Sequence, residues 1–191
     1  MRILIAALIG GIVMFVWGAV AHMALGLGNP GIHPPAHEDM VLSSLHEGLG
    51  TEPGVYILPW LGPDAMHDEA AVRAYGAKAG ASPYAWVVYL PQGEDMTHMG
   101  RPLGTQWLSD TLAALVLAVL MCVPGLGFRR RLLLAGAMAV FAWLSTMVPY
   151  WNWYRFPASF TVAAGAEQLV GWLLAGMAMA WWIGRREPRA A

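Results

Sequence analysis

Four stretches of this chain are long, apolar and nearly free of charge, and they limit its possible folds more than any motif does. Residues 3–26, ILIAALIGGIVMFVWGAVAHMALG, contain no Asp, Glu, Lys or Arg. Residues 104–124, 132–149 and 158–184 are the other three, and they carry only Asp110 and Glu167 as acids. About 20 apolar residues at 1.5 Å rise cross a bilayer core. A segment that crosses must satisfy its backbone hydrogen bonds internally, so each stretch is expected to be helical. The composition agrees. Only 12% of the 191 residues are charged and 58% are hydrophobic, whereas soluble domains are about a quarter charged. The first stretch exceeds the roughly 7–15 apolar residues of a signal-peptide core, so a retained span is expected over residues 1–28.

The segment between the first two spans differs in kind. Residues 29–103 are rich in Pro, Gly and charge, with nine acids against three bases. AHEDMVLSSLHEGL (36–49) predicts a helix with Met40, Val41, Leu45 and Leu49 on its apolar side, ended by Gly50. VYILPW (55–60) predicts a strand halted by Pro59. Residues 64–79 predict a second helix, its acids at the start and Lys78 near the end. YAWVVYL (84–90) predicts a second strand. The expected fold is therefore a membrane all-α protein. It has four transmembrane helices and a small α+β extracytoplasmic insert between helices 1 and 2. Two strands alone are marginally stable, so this insert is expected to lean on the helices or on a partner.

Arginines orient such a chain, because they favour the cytoplasmic side. Arg2, the GLGFRRR turn (125–131), and Arg185, Arg186 and Arg189 in the tail (185–191) lie on one side. Arg73, Lys78, Arg101 and Arg155 lie on the other. Both termini are expected in the cytoplasm. The insert and an aromatic corner at 150–157, YWNWYRFP, share the outer face.

Three groups of residues are candidates for chemistry. His22, Asp110 and Glu167 are ionisable groups inside expected spans, all in the outer half or near the midplane. Such groups are costly in hydrocarbon and mark functional sites by default. The plainer alternative is that they lock the bundle together. Gln168, beside Glu167, is read as an interhelical hydrogen-bonding residue. Gly11, Gly18 and His22 fall on one helical face, and Ala135, Ala139, Ala142 and Thr146 on another. Both faces suit close helix packing. Trp151, Trp153, Tyr154, Arg155 and Phe156 form the second group, as an interfacial belt or as a binding edge for a partner subunit or lipid. Met96, His98 and Met99 are the third, the nearest approach to a thioether–imidazole copper site, in a chain where methionine is frequent throughout.

Much is excluded. The single cysteine, Cys122, permits no intrachain disulfide and no Cys-based zinc site, and reads as a small buried hydrophobe. Near-neutral net charge argues against nucleic acid. No phosphate loop, GxSxG or HExxH is present. The segments GGIVMFVWGAVAHM, EPGVYILP and YWNWYRFPASFT, followed by Glu167–Gln168 and a Gly-Trp helix, resemble a family of uncharacterised bacterial four-span inner-membrane proteins with a periplasmic insert. That resemblance implies the four-span plan and an inner-membrane address, and no activity. GAVAH, ending at His22, is also similar to the histidine segments of light-harvesting polypeptides, which are single-span and shorter. The first expectation for function is a non-catalytic accessory or assembly subunit of a larger inner-membrane complex, its partners the bilayer and other membrane subunits. The alternative is a bundle that binds or transports a small ligand, cofactor or ion through His22, Asp110 and Glu167. No particular cofactor is indicated.

Overall fold

The computed structural model describes residues 1–95 and 97–185. Met96, Arg186 and Arg189 from the readings above lie outside the described residues. The chain divides into two units. One is helical and joins the first 33 residues to those after the insert; the other spans Pro34–Asp95.

The helical unit contains α1 (Arg2–Ala19), extended by a π-helical turn (Val20–Ala24), then α4 (Gly100–Met121), α5 (Phe128–Tyr154) and α6 (Ala158–Gly184). All four are long and apolar enough to cross a membrane. Their order in space does not follow the chain. Helix α1 packs along both α4 and α6, and α5 packs along α6, while α4 and α5, neighbours in sequence, scarcely touch. The core is built from small residues and flexible ones: Ala6, Ala114, Ala118, Ala135 and Ala175 with Met14, Met121 and Met179. Alanine and glycine let backbones approach, and thioethers fill the irregular gaps. A Cβ added at Gly10 would lie 2.5 Å from Met179 Sδ and 2.8 Å from Ala114 Cβ, so α1, α4 and α6 meet there. At Gly11 it would lie 2.7 Å from Thr111 Cα, which is backbone and has nowhere to move. Outward, Leu4, Leu8, Ile12 and Val16 form an exposed aliphatic stripe on α1, as do Leu108, Leu112, Val116 and Val119 on α4.

Several expectations are corrected here. Gly18 was expected on the packing face of α1, but nothing lies within 4 Å of a Cβ placed there. Periodicity marks a face and does not say how far a neighbour follows it. The second span begins at Gly100 and ends at Met121, four residues earlier than residue 104, because Arg101 and Pro102 are accommodated in the first helical turn. The basic turn is shorter than 125–131, since α5 starts at Phe128. Arg131 is a buried helical residue, 1% exposed, whose Nε donates to the Met121 carbonyl at 2.8 Å. The aromatic corner is mostly helix. Helix α5 runs through Pro149 to Tyr154 and turns at Arg155, which takes a left-handed conformation (φ 60°). Proline removes one backbone donor but does not force the chain out of a helix this long. The small-residue face of α5 is buried at Ala135 and Ala139, partly covered at Ala142 and open at Thr146.

The insert contains α2 (Glu38–Leu49), β1 (Gly54–Leu58), a 3₁₀ turn (Pro63–His67), α3 (Glu69–Ala81) and β2 (Ala85–Tyr89). The strands pair antiparallel, with Tyr56 opposite Val87. Helix α2 closes on Gly50 (φ 74°) as expected. The helix expected over 64–79 is instead two pieces. Asp68 breaks it by capping α3, its carboxylate accepting from the backbone N–H groups of Ala70 and Ala71 at 2.8 and 3.3 Å. Among the described residues of this unit only Pro59 and Tyr89 are buried. The Tyr89 hydroxyl donates to the Gly50 carbonyl at 3.1 Å, Tyr56 donates to Glu52 at 2.8 Å, and the two rings meet edge to face.

Candidate functional site

The π-helical turn decides where His22 goes. It packs an extra residue into the last turn of the first span, with the Leu25 N–H donating to the Val20 carbonyl at 3.0 Å. The chain then reverses at Gly26 (φ 62°), and the Leu27 N–H returns to the Ala21 carbonyl at 2.9 Å. This is a left-handed glycine close to the helix. Such π turns recur at functional sites because they re-aim one side chain. Here that side chain is His22. Gly28 follows the reversal and lies flat on the imidazole; a Cβ there would stand 2.8 Å from Cε1 and nearer still to Nδ1. The ring is therefore backed by a glycine and presents Nε2 to α6.

Glu167 meets it. His22 Nε2 and Glu167 Oε1 are 3.1 Å apart. With Glu167 ionised the carboxylate can only accept, so the bond runs from Nε2–H. The Glu167 side chain is 20% exposed and that of His22 56%. His22 is thus the exposed partner and Glu167 the more covered one. The backbone around Glu167 is also held, because Trp17 Nε1 donates to its carbonyl at 3.0 Å. Trp17 reaches it by lying in the notch of Gly171, where a Cβ would be 2.6 Å from the indole Cδ1.

Asp110 is the third member. It is 8% exposed, accepts from Gln106 Nε2 at 2.9 Å, and is an electrostatic neighbour of Glu167. Three residues far apart in sequence thus stand on three different helices of one unit. His22 bonds Glu167 directly, and Gln106 holds Asp110. One carboxyl group faces one imidazole, and that pair can hold a proton. Gln168 takes no interhelical role in hydrogen bonding through its Oε1, contrary to the expectation; that atom accepts from Trp172 Nε1 at 3.0 Å within α6. One-residue spacing along a helix turns a side chain by about 100°, so Glu167 and Gln168 face different neighbours.

The aromatic group splits in two. Tyr150, Tyr154, Phe156 and Phe160 pack on one another, with successive centroids 5.3–5.6 Å apart. Trp151 and Trp153 point outward, Trp153 being 74% exposed. Arg155 is exposed. Of the copper candidates, His98 is exposed with Nδ1 3.4 Å from Thr97 Oγ1, and Met99 precedes α4. Among the described residues no three His, Cys, Asp or Glu side chains converge as a metal site.

Residues that sequence reading passed over contact these three: Trp17, Gly28 and Gln106. Gln106 was legible, standing four residues before Asp110 on one helical face. Trp17 and Gly28 had no such signal, because their partners are 150 residues away or lie across a loop reversal. A second pairing repeats the Trp17 arrangement. Trp143 lies in the notch of Gly165 and donates to the Thr161 carbonyl at 2.7 Å. Comparison of the chain with protein-family models, curated proteins and solved structures finds no match.

Proposed function

We propose that the protein is a multi-pass inner-membrane protein whose helical bundle binds a proton or small cation at His22, Glu167 and Asp110. The observation that carries this reading is the 3.1 Å contact between His22 and Glu167, with His22 aimed by a π-helical turn. A structural lock needs no π turn to aim the ring, and it would be covered, whereas His22 is exposed. The bilayer setting is supported by the exposed aliphatic stripes of α1 and α4, which are unfavourable against water and well suited to hydrocarbon. The arginine asymmetry supports cytoplasmic termini and an extracytoplasmic insert.

The test is proton and alkali-cation flux into liposomes containing the purified protein, against Glu167→Gln and Asp110→Asn. Wild-type flux above empty liposomes, lowered at least tenfold by Glu167→Gln with the fold intact, is the expected result. Identical flux from wild type, variant and empty liposomes would sink the reading.

The exposure of Trp151 and Trp153 favours a second reading, an accessory subunit docked through this edge. Solvent-facing indoles at the end of a span are costly unless lipid or a partner covers them. Trp151→Ala with Trp153→Ala should then release a co-purifying membrane subunit without unfolding the bundle. Unchanged co-purification would remove that reading.

A further inference from the structure

The insert leaves one apolar face uncovered. Helix α2 carries Met40, Val41, Leu45 and Leu49 on one side, and none of its residues is buried. With Gly48, and Leu58 of β1, they line an open groove of about 370 Å³. Met40 is 66% exposed, and Val41 and Leu58 are exposed as well. Contiguous apolar surface rimmed by polar residues marks a binding surface. We propose that this groove takes the apolar side of a cationic amphipathic helix from a partner protein. The length suits a helix, since α2 has 12 residues, about 18 Å at 1.5 Å rise. Methionine and leucine side chains adapt to a partner's i, i+3 and i+4 anchors. Charge selects the partner. At about 100° per residue, Glu38 and Glu47 flank the apolar side of α2, one on each edge, and both are exposed. Glu52 follows in the turn to β1. Neither helix α2, nor that turn, nor either strand carries a Lys or Arg. The whole unit, Pro34–Asp95, has nine acids against two bases, and one of the bases, Arg73, is paired with Glu69. A groove bordered by carboxylates favours Lys and Arg at the edges of an incoming helix. It disfavours an anionic lipid surface. It also disfavours a second copy of this chain, which would bring the same acids to the same edges.

The full-length protein in phosphatidylcholine nanodiscs would be titrated with a labelled leucine–lysine peptide roughly four helical turns long, its leucines on one face. Empty nanodiscs set the background. The controls are the same peptide with glutamate for lysine, and a scrambled lysine peptide with no apolar face. Binding would be read by anisotropy and its place by photo-cross-linking. The lysine peptide should bind one per protein and cross-link within residues 40–58, and neither control should. Met40→Ser, at an exposed position where folding is not at risk, should weaken it about threefold or more. Glu38→Gln with Glu47→Gln should weaken it about fivefold. The Asp64→Asn/Glu69→Gln pair removes as much charge from residues that do not line the groove, and should leave affinity within about twofold. Equal binding of either control peptide, full affinity in either groove variant, or equal weakening by the Asp64/Glu69 pair would each overturn the proposal. Cross-links from residues 40–58 to a second copy would give the groove to self-association. Peptide binding in detergent that vanishes in nanodiscs would give it to the bilayer. Either result overturns the partner helix as occupant.

Discussion

The helical unit and the insert are held together by different means. In the helical unit the contacts are between backbones brought close by glycine and alanine, with tryptophans filling the notches and donating to the carbonyls opposite. In the insert, among the described residues, only Pro59 and Tyr89 are buried, and two tyrosine hydroxyls tie the strands to the end of α2 and the turn after it. The first kind of packing does not depend on removing apolar area from water, so it works where the surroundings are hydrocarbon. The second does depend on it, and a pair of five-residue strands with two helices removes little. The difference teaches that this chain places its close packing in the helical unit. The His22–Glu167 pair is built there, between two of its packed helices.

The comparison can be broken most forcefully at the closest approach of two helices. Gly11→Val should cost about 3 kcal/mol or more, since its new carbons meet the Thr111 backbone rather than a side chain that can turn away. Thermal unfolding in detergent checks it, and a loss below 1 kcal/mol would show that the α1–α4 seam is loose. In the insert, Tyr89→Phe removes the bond to the Gly50 carbonyl and should cost about 1 kcal/mol. Hydrogen exchange should show α2, β1 and β2 opening sooner with the spans unchanged. Equal loss of protection in the spans would mean that the units unfold together. Asp68→Ala, which removes the cap of α3, should also cost about 1 kcal/mol, visible as earlier proteolysis within residues 63–81. His22→Ala should shift stability by less than 1 kcal/mol, because a half-exposed pair contributes little. Its effect on cation flux should nevertheless match that of Glu167→Gln. A large stability loss with unchanged flux would return the pair to the role of a lock. Smallest of all, Gly18→Ala should be neutral to slightly stabilising, since the site is open and alanine is the better helix former. It lies on the same face as Gly11, so the two glycines together measure where that seam ends.

Much of the plan was legible. Length and apolar content located four helices, and α6 begins at Ala158 and ends at Gly184 as read. Both strands and the Gly50 stop were read from local pattern as well. Errors gathered at the ends of elements. Asp68 was read as part of a helix because acids suit a first turn, but its short side chain serves better as a cap. Arg131 was grouped with a surface turn, because three consecutive arginines look alike in sequence and a helix points each in a different direction.

What the sequence determined by itself is the set of segments that must be helical, since hydrocarbon-compatible stretches leave the backbone no other way to satisfy its hydrogen bonds. It also determined which side groups would be expensive there. Tertiary structure alone decided that α1 lies against both α4 and α6, and that a π turn and Gly28 aim one imidazole at one carboxyl group. The physical reason is that hydrogen bonding within a helix is local and readable along the chain. The meeting of His22 with Glu167 depends on the crossing of two helices and on an extra residue in a turn, and neither leaves a periodic trace.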